Sequence, residues 1–336
     1  MTDYCVASSQ YLGDPEVYKL VFHILTCIEI PIHIYGAWCI IFKTSALMRS
    51  VKYLLLWSHF LSAQLDLLFS FISIPYMLLL SFSGYALGIF DQPRWEVYIC
   101  LIVTAFVVTS ILGIYENRFF VLYGYRENPS WCRIRKPFIA FNYFLAVIFI
   151  APMYFLDPDQ EIGFQNLATV LPCSPESAIG DRRIYVAFTD SLLPYIGLSL
   201  EALLLACEIV VFLVITISKL KSRDGQNCSQ LSVKTKKLQK NFIKALFAKS
   251  SIPITFLLTP VLYVLVTMQL TYRNQNLSNV CVMLASSHGL FSTIVMVLVH
   301  QPYREATWNN LYFCFRCKRR NLKTTSGRQS DGIIKV

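Results

Sequence analysis

Seven stretches of this chain are too long and too apolar to belong to a water-soluble domain. They run from Val17 to Phe42, Tyr53 to Leu80, Val97 to Val121, Pro137 to Leu156, Ile184 to Ser218, Phe242 to Thr271 and Asn279 to His300. A bilayer core about 30 Å thick needs roughly 20 predominantly apolar residues per helix, and each stretch meets that length. The runs are continuous rather than alternating, which indicates helices and not barrel strands. Composition agrees: 55% of the 336 residues are hydrophobic and 15% are charged, against about 25% charged in a typical soluble domain. Mean hydropathy is +0.50. The fold class expected is an all-α membrane protein, a bundle of seven transmembrane helices.

A net charge of +10 would suit a nucleic-acid binder, but the basic residues are sorted by loop. The loops after spans one, three and five and the tail after His300 hold three, five, eight and eight Lys and Arg, 24 of the 30. The alternate loops hold five: Lys19, Arg94, Arg182, Arg183 and Arg273. That asymmetry is the positive-inside pattern and puts the amino terminus outside and the carboxyl terminus in the cytosol. Anionic inner-leaflet lipid, not nucleic acid, is the partner such loops imply. Met1 to Glu16 is polar and has no basic n-region, so span one serves as the insertion signal. The division expected is an external start (1–16), a membrane domain (17–300), a juxtamembrane amphipathic helix (301–318) and a disordered tail (319–336). No His-Glu-x-x-His, P-loop or nucleophile elbow is present in the sequence, so neither an enzyme nor a metal or organic cofactor is expected.

Local patterns narrow the class. Span three ends Ile-Tyr-Glu116-Asn117-Arg118-Phe-Phe, and span two carries Leu-Trp-Ser-His59, Asp66 and Ile74-Pro75. Span six opens Gln239-Lys240-Asn-Phe-Ile-Lys-Ala-Leu and continues through Ile252-Pro253 to Thr259-Pro260; span seven ends His300-Gln301-Pro302-Tyr303-Arg304. In order and spacing these resemble the nematode serpentine chemoreceptors, most closely class H, from Ile30 to Arg304. Lys249 departs from the pattern, which would have an uncharged polar residue there. The resemblance implies a plasma-membrane G protein-coupled receptor of a sensory neuron that detects a small environmental molecule.

It also implies roles. Glu116-Asn117-Arg118 stands where rhodopsin-like receptors carry an acidic–Arg switch, with Asp66, Pro253, Pro260, Pro302 and Tyr303 as further switch positions. Pro253 and Pro260 share a face of span six and should bend it. Cys100, at the outer end of span three, and Cys173, in the loop after span four, match a disulfide typical of such receptors; two unpaired thiols are the alternative. Thr104, Val107, Asp190, Tyr195, Phe256 and Tyr263 are ligand candidates, chosen by depth and, for Asp190, by charge.

Span five places Asp190, Glu201 and Glu208 on one helical stripe, Glu29 and His33 form an i, i+4 pair in span one, and His59 shares a face with Asp66. These groups serve either a responsive polar interior or plain interhelical hydrogen bonds; the structural or switching role is expected for Asp66, Glu29 and Glu208. Acids in span five also suit a cation channel or transporter, although inverted repeats and paired broken helices are not evident. After Pro302, Trp308, Leu311, Tyr312 and Phe315 follow helical spacing, as in a helix lying on the inner leaflet. Cys314 and Cys317 beside it suit palmitoylation better than zinc.

Overall fold

A computed structural model describes residues 11–78, 83–90, 92–124, 129–155, 158–170, 184–187, 192–225, 274–310 and 312, with short pieces at 247–248, 251–252, 255–257, 259–260 and 262–263. Among them, five helices are long and apolar enough to cross a bilayer, and a sixth crossing is a pair bent by 45°. The remaining crossing, span six, lies mostly outside the described residues.

Helix α1 (Pro15–Lys43) begins two residues before the expected Val17. Asp14 is the N-cap, its Oδ1 accepting from the Glu16 and Val17 amides, and Pro15 takes the first helical position. Helix α2 (Lys52–Leu67) continues as a π-helical turn, Leu68–Ser73. There the expected span to Leu80 fails. Ile74 turns to φ 46°, and Pro75, which cannot continue the hydrogen-bond ladder, opens a strand. Strands β1 (Pro75–Leu78) and β2 (Ser83–Ala86) pair antiparallel, and β3 (Tyr185–Val186) adds to β2. The fold is thus helical in its membrane part with a three-stranded sheet at one end.

Helix α3 (Pro93–Phe119) is capped by its own Glu96, whose Oε1 accepts from the Gln92 amide, while Ser73 Oγ donates to Oε2. Helix α4 (Pro129–Phe155) starts eight residues before the expected Pro137; its basic first turns extend past the apolar run that marked it. Helix α5 (Gln160–Val170) is joined to β3 by Gln160, whose side chain bonds both the amide and the carbonyl of Val186. Helix α6 (Leu192–Gly225) begins eight residues later than the expected span five, because β3 occupies Tyr185–Val186. Span seven is two helices, α7 (Gln275–Ser286) and α8 (His288–Val299), starting before the expected Asn279 and broken at Ser287. A further helix, 301–310, follows His300.

The sheet ties the start of the chain to the bundle. Tyr18 Oη donates to the Pro75 carbonyl, Tyr76 Oη to Gly13 and Asn279 Nδ2 to Leu12. The Tyr76 and Tyr85 rings stack at 5.1 Å across the hairpin, and Tyr18 meets Tyr76 edge-on. Below this layer the main core joins α1, α2, α3, α6 and α8 through Ile40, Leu55, Leu65, Val107, Ile111, Leu112, Leu205, Phe212 and Met296. The opposite surfaces of α1, α4 and α6 expose Ile34, Phe141, Phe144, Leu203 and Val214, the apolar outside of a membrane bundle.

Candidate functional site

Two polar clusters occupy the bundle. The inner one centres on Asp66, whose side chain is completely buried. The break between α7 and α8 leaves the first amides of α8 without helical carbonyl partners, and Asp66 supplies them: Oδ1 accepts from Gly289 N at 3.0 Å and Oδ2 from Leu290 N at 2.7 Å. His33 Nε2 of α1 lies 3.2 Å from Oδ2. His288 Nδ1 lies 2.9 Å from both Asp66 Oδ1 and the Ala285 carbonyl, so a proton there is shared between the two. His59 Nε2 donates to the His33 carbonyl at 2.9 Å, which places that ring's proton on Nε2. One carboxylate thus fastens α1 and α2 to the bend of span seven.

Small residues permit this approach. A Cβ on Gly289 would stand 2.6 Å from Asp66 Oδ2, and one on Gly36 would stand 2.5 Å from Thr293 Cγ2 and 2.9 Å from His59 Cε1. Gly289→Ala should therefore push the carboxylate off the two amides and lower stability by about 2 kcal/mol. Thermal unfolding of the solubilised protein measures this, and an unchanged midpoint would mean the contact yields at no cost. Glu29 and His33 do not form the expected pair. Glu29 Oε2 instead accepts from Ser70 Oγ at 2.8 Å, while among the described residues its Oε1 has no hydrogen-bond partner. Both residues are on the face of α1 that packs on α2, and each finds its partner there.

The second cluster lies at the end of the bundle that carries the basic loops. Glu116 is met by residues of α4: Trp131 Nε1 donates to Oε1 at 2.8 Å, and Arg135 donates to Oε2 at 3.0 Å. Arg135 also donates to Asn117 Oδ1 at 3.0 Å, and its guanidinium sits 3.8 Å from the centre of the Phe120 ring. Asn117 Nδ2 reaches the Ser50 carbonyl at 3.4 Å. Arg118, next along the helix, is buried at 8% exposure. Glu116 is therefore engaged by Arg135 from a neighbouring helix, a residue whose charge the positive-inside pattern alone would account for. Nearby, Tyr303 is fully buried and its hydroxyl meets Thr44 Oγ1 at 2.8 Å, while Tyr35 Oη meets Thr307 Oγ1 at 2.8 Å. These contacts hold helix 301–310 beneath α1.

The remaining candidates divide. Thr104 is half-buried and donates to the Cys100 carbonyl of its own helix; Val107 lies wholly in the main core. The Phe256 ring contacts Phe291 of α8 at 5.1 Å, and Tyr263 Oη donates to the Asn274 carbonyl at 3.1 Å, so both meet span seven. Pro260 lies in a helical piece, and Pro302 opens the helix that bears Tyr303. Cys100 packs against the main core. Asp190, Pro253, Cys173, Cys314 and Cys317 lie outside the described residues, as does the side chain of Tyr195. Among the described residues no group of three His, Cys, Asp or Glu side chains has metal-binding geometry.

Comparison with known proteins agrees with this architecture. Serpentine receptor class H-72 from Caenorhabditis elegans is 24% identical over 314 residues, spanning 89% of this chain and 87% of that protein. The family described as serpentine type 7TM GPCR chemoreceptor Srh matches residues 13–313, from the turn before α1 to beyond the juxtamembrane helix. The chain therefore belongs to the Srh family of serpentine seven-transmembrane chemoreceptors.

Proposed function

We propose that this receptor sits in the plasma membrane of a sensory neuron, in its cilia, with its amino terminus outside. There it binds a small environmental molecule between the outer halves of its spans and drives nucleotide exchange on a heterotrimeric G protein. The observation that carries the reading is the Glu116–Arg135–Trp131 cluster beside Arg118, at the end of the bundle where the basic loops gather. An ion pair between α3 and α4 at that end is a two-state element: closed, it holds the helix ends together; opened, it frees a carboxylate and a guanidinium for a partner. The bent span seven fastened to α1 and α2 through Asp66 offers a mechanical link from the outer half to that end. A Cys100–Cys173 bond over the pocket and palmitoylation at Cys314 and Cys317 complete the proposal, with Pro253 and Pro260 as the bend of span six.

The test is nucleotide exchange on purified heterotrimers by receptor-containing nanodiscs, screened against volatile and water-soluble compounds. At least one compound class should raise exchange several-fold over empty nanodiscs. A compound that instead gates current in cells stripped of G protein would favour the channel alternative.

A further inference from the structure

Helix α6 presents its buried face at Glu201, Leu205, Ile209, Phe212 and Thr216, while Leu200, Leu203, Val210, Val211 and Val214 point away from the bundle. Leu205, Ile209 and Phe212 pack in the main core with Val107 and Ile111 of α3. One turn before Glu201, Leu198 joins a second cluster with Tyr98 and Ala105 of α3 and Ile150 of α4. Along α6, Glu201 lies between Leu198 of one cluster and Leu205 of the other.

A carboxyl group at that place is unexpected. Glu201 is 5% exposed, and among the described residues its Oε1 has no hydrogen-bond partner. Seven residues on, Glu208 lies near the Asn142 side chain of α4, and its Oε2 likewise has no hydrogen-bond partner among the described residues. Among the described residues, neither carboxylate is paired with a Lys, Arg or His. Packing alone would be served by Leu, and a hydrogen bond by Gln. A carboxylate in a low-dielectric interior costs several kcal/mol unless a cation or proton answers it. Glu201 is the sixth residue of the segment Ile196–Lys219, so it lies about 8 Å along the helix from Ile196 at 1.5 Å per residue. One turn toward the start of the helix, Leu198 packs in the cluster that holds Tyr98, Phe106 and Tyr154, an apolar and aromatic surface that suits a short alkyl chain.

We propose that Glu201 is the anchor of the receptor's ligand site and that the ligand class is a small protonated amine with a short apolar chain. The ammonium donates to Oε1, and the chain lies against the aromatic cluster of α3 and α4. This deepens the receptor reading above and rests on it for its biological meaning, but the binding itself is measured without a G protein.

The experiment uses the full-length receptor in nanodiscs and follows its thermal unfolding in the presence of hexylamine, with hexanol as the uncharged match. Hexylamine should raise the unfolding temperature saturably, and hexanol should do so weakly or not at all. E201Q keeps the shape and removes the charge, so half-saturation by hexylamine should move up by about 30-fold, the loss of one charge-assisted hydrogen bond. E201D, the backup should E201Q not fold, withdraws the charge by one methylene and should weaken hexylamine about tenfold. Equal stabilisation by hexylamine and hexanol, or unchanged hexylamine affinity in the variants, would overturn the proposal and leave Glu201 a carboxyl that merely carries a proton. Glu201-dependent binding without any nucleotide exchange would uphold it while removing the G-protein reading.

Discussion

Asp66→Ala should leave almost no folded receptor at the cell surface. The substitution strips the Gly289 and Leu290 amides of their acceptor at the point where span seven bends, and it takes the carboxylate from between His33 and His288. Each buried donor left without an acceptor costs about 1–3 kcal/mol. Several together reach about 5 kcal/mol, comparable to the whole stability of an ordinary domain. Asp66→Asn is the informative companion. Its amide oxygen still accepts from one backbone N–H, but the NH2 group turns a donor toward the other amide and the charge is lost. A loss of about 2 kcal/mol is expected, with part of the surface population retained. Surface labelling and unfolding temperature in detergent read both variants. An Asp66→Ala protein that unfolds at the wild-type temperature would mean that the bend holds without the carboxylate.

The second large effect concerns signalling and not folding. Arg118→Ala should reduce ligand-driven exchange to the level of empty membranes while surface expression stays largely intact, since Arg118 sits in the last turn of α3, beside a basic loop. Arg135→Gln should act in the opposite direction. It removes the charged partner of Glu116 but leaves Trp131 Nε1 donating to Oε1. A partly buried pair is worth about 1 kcal/mol, so ligand-independent exchange should rise about fivefold. The pair of variants separates a latch from simple topological anchoring. If Arg118→Ala couples as well as the parent and Arg135→Gln has unaltered basal exchange, the cluster only fixes helix position.

The spans were legible because hydropathy over 20 residues is a strong signal, but α1 and α3 start at Pro15 and Pro93, ahead of the apolar runs expected from Val17 and Val97. Asp66 and His59 were legible as a shared buried face, since 100° per residue carries one above the other. The sheet was not. Tyr76, Met77 and Tyr85 are as apolar as membrane residues, and a four-residue strand vanishes inside a hydropathy run. The break at Ser287 falls at no proline; Gly289 two residues later was its faint mark. The role of Arg135 was hidden for another reason. A charge explained by topology gives no hint that it crosses to the next helix, and only the packing of α4 on α3 reveals its carboxylate. The Glu29–His33 pair failed because spacing along one helix cannot tell whether a neighbouring helix offers a better partner.

The proposed receptor is a bundle crossed seven times, with its sheet on the external side and its Glu116–Arg135 cluster at the cytosolic end. Separate epitope tags at the two termini, labelled in intact and in permeabilised cells, test it most directly. The amino-terminal tag should be labelled in intact cells and the carboxyl-terminal tag only after permeabilisation. Labelling of both tags, or of neither, in intact cells would contradict the account.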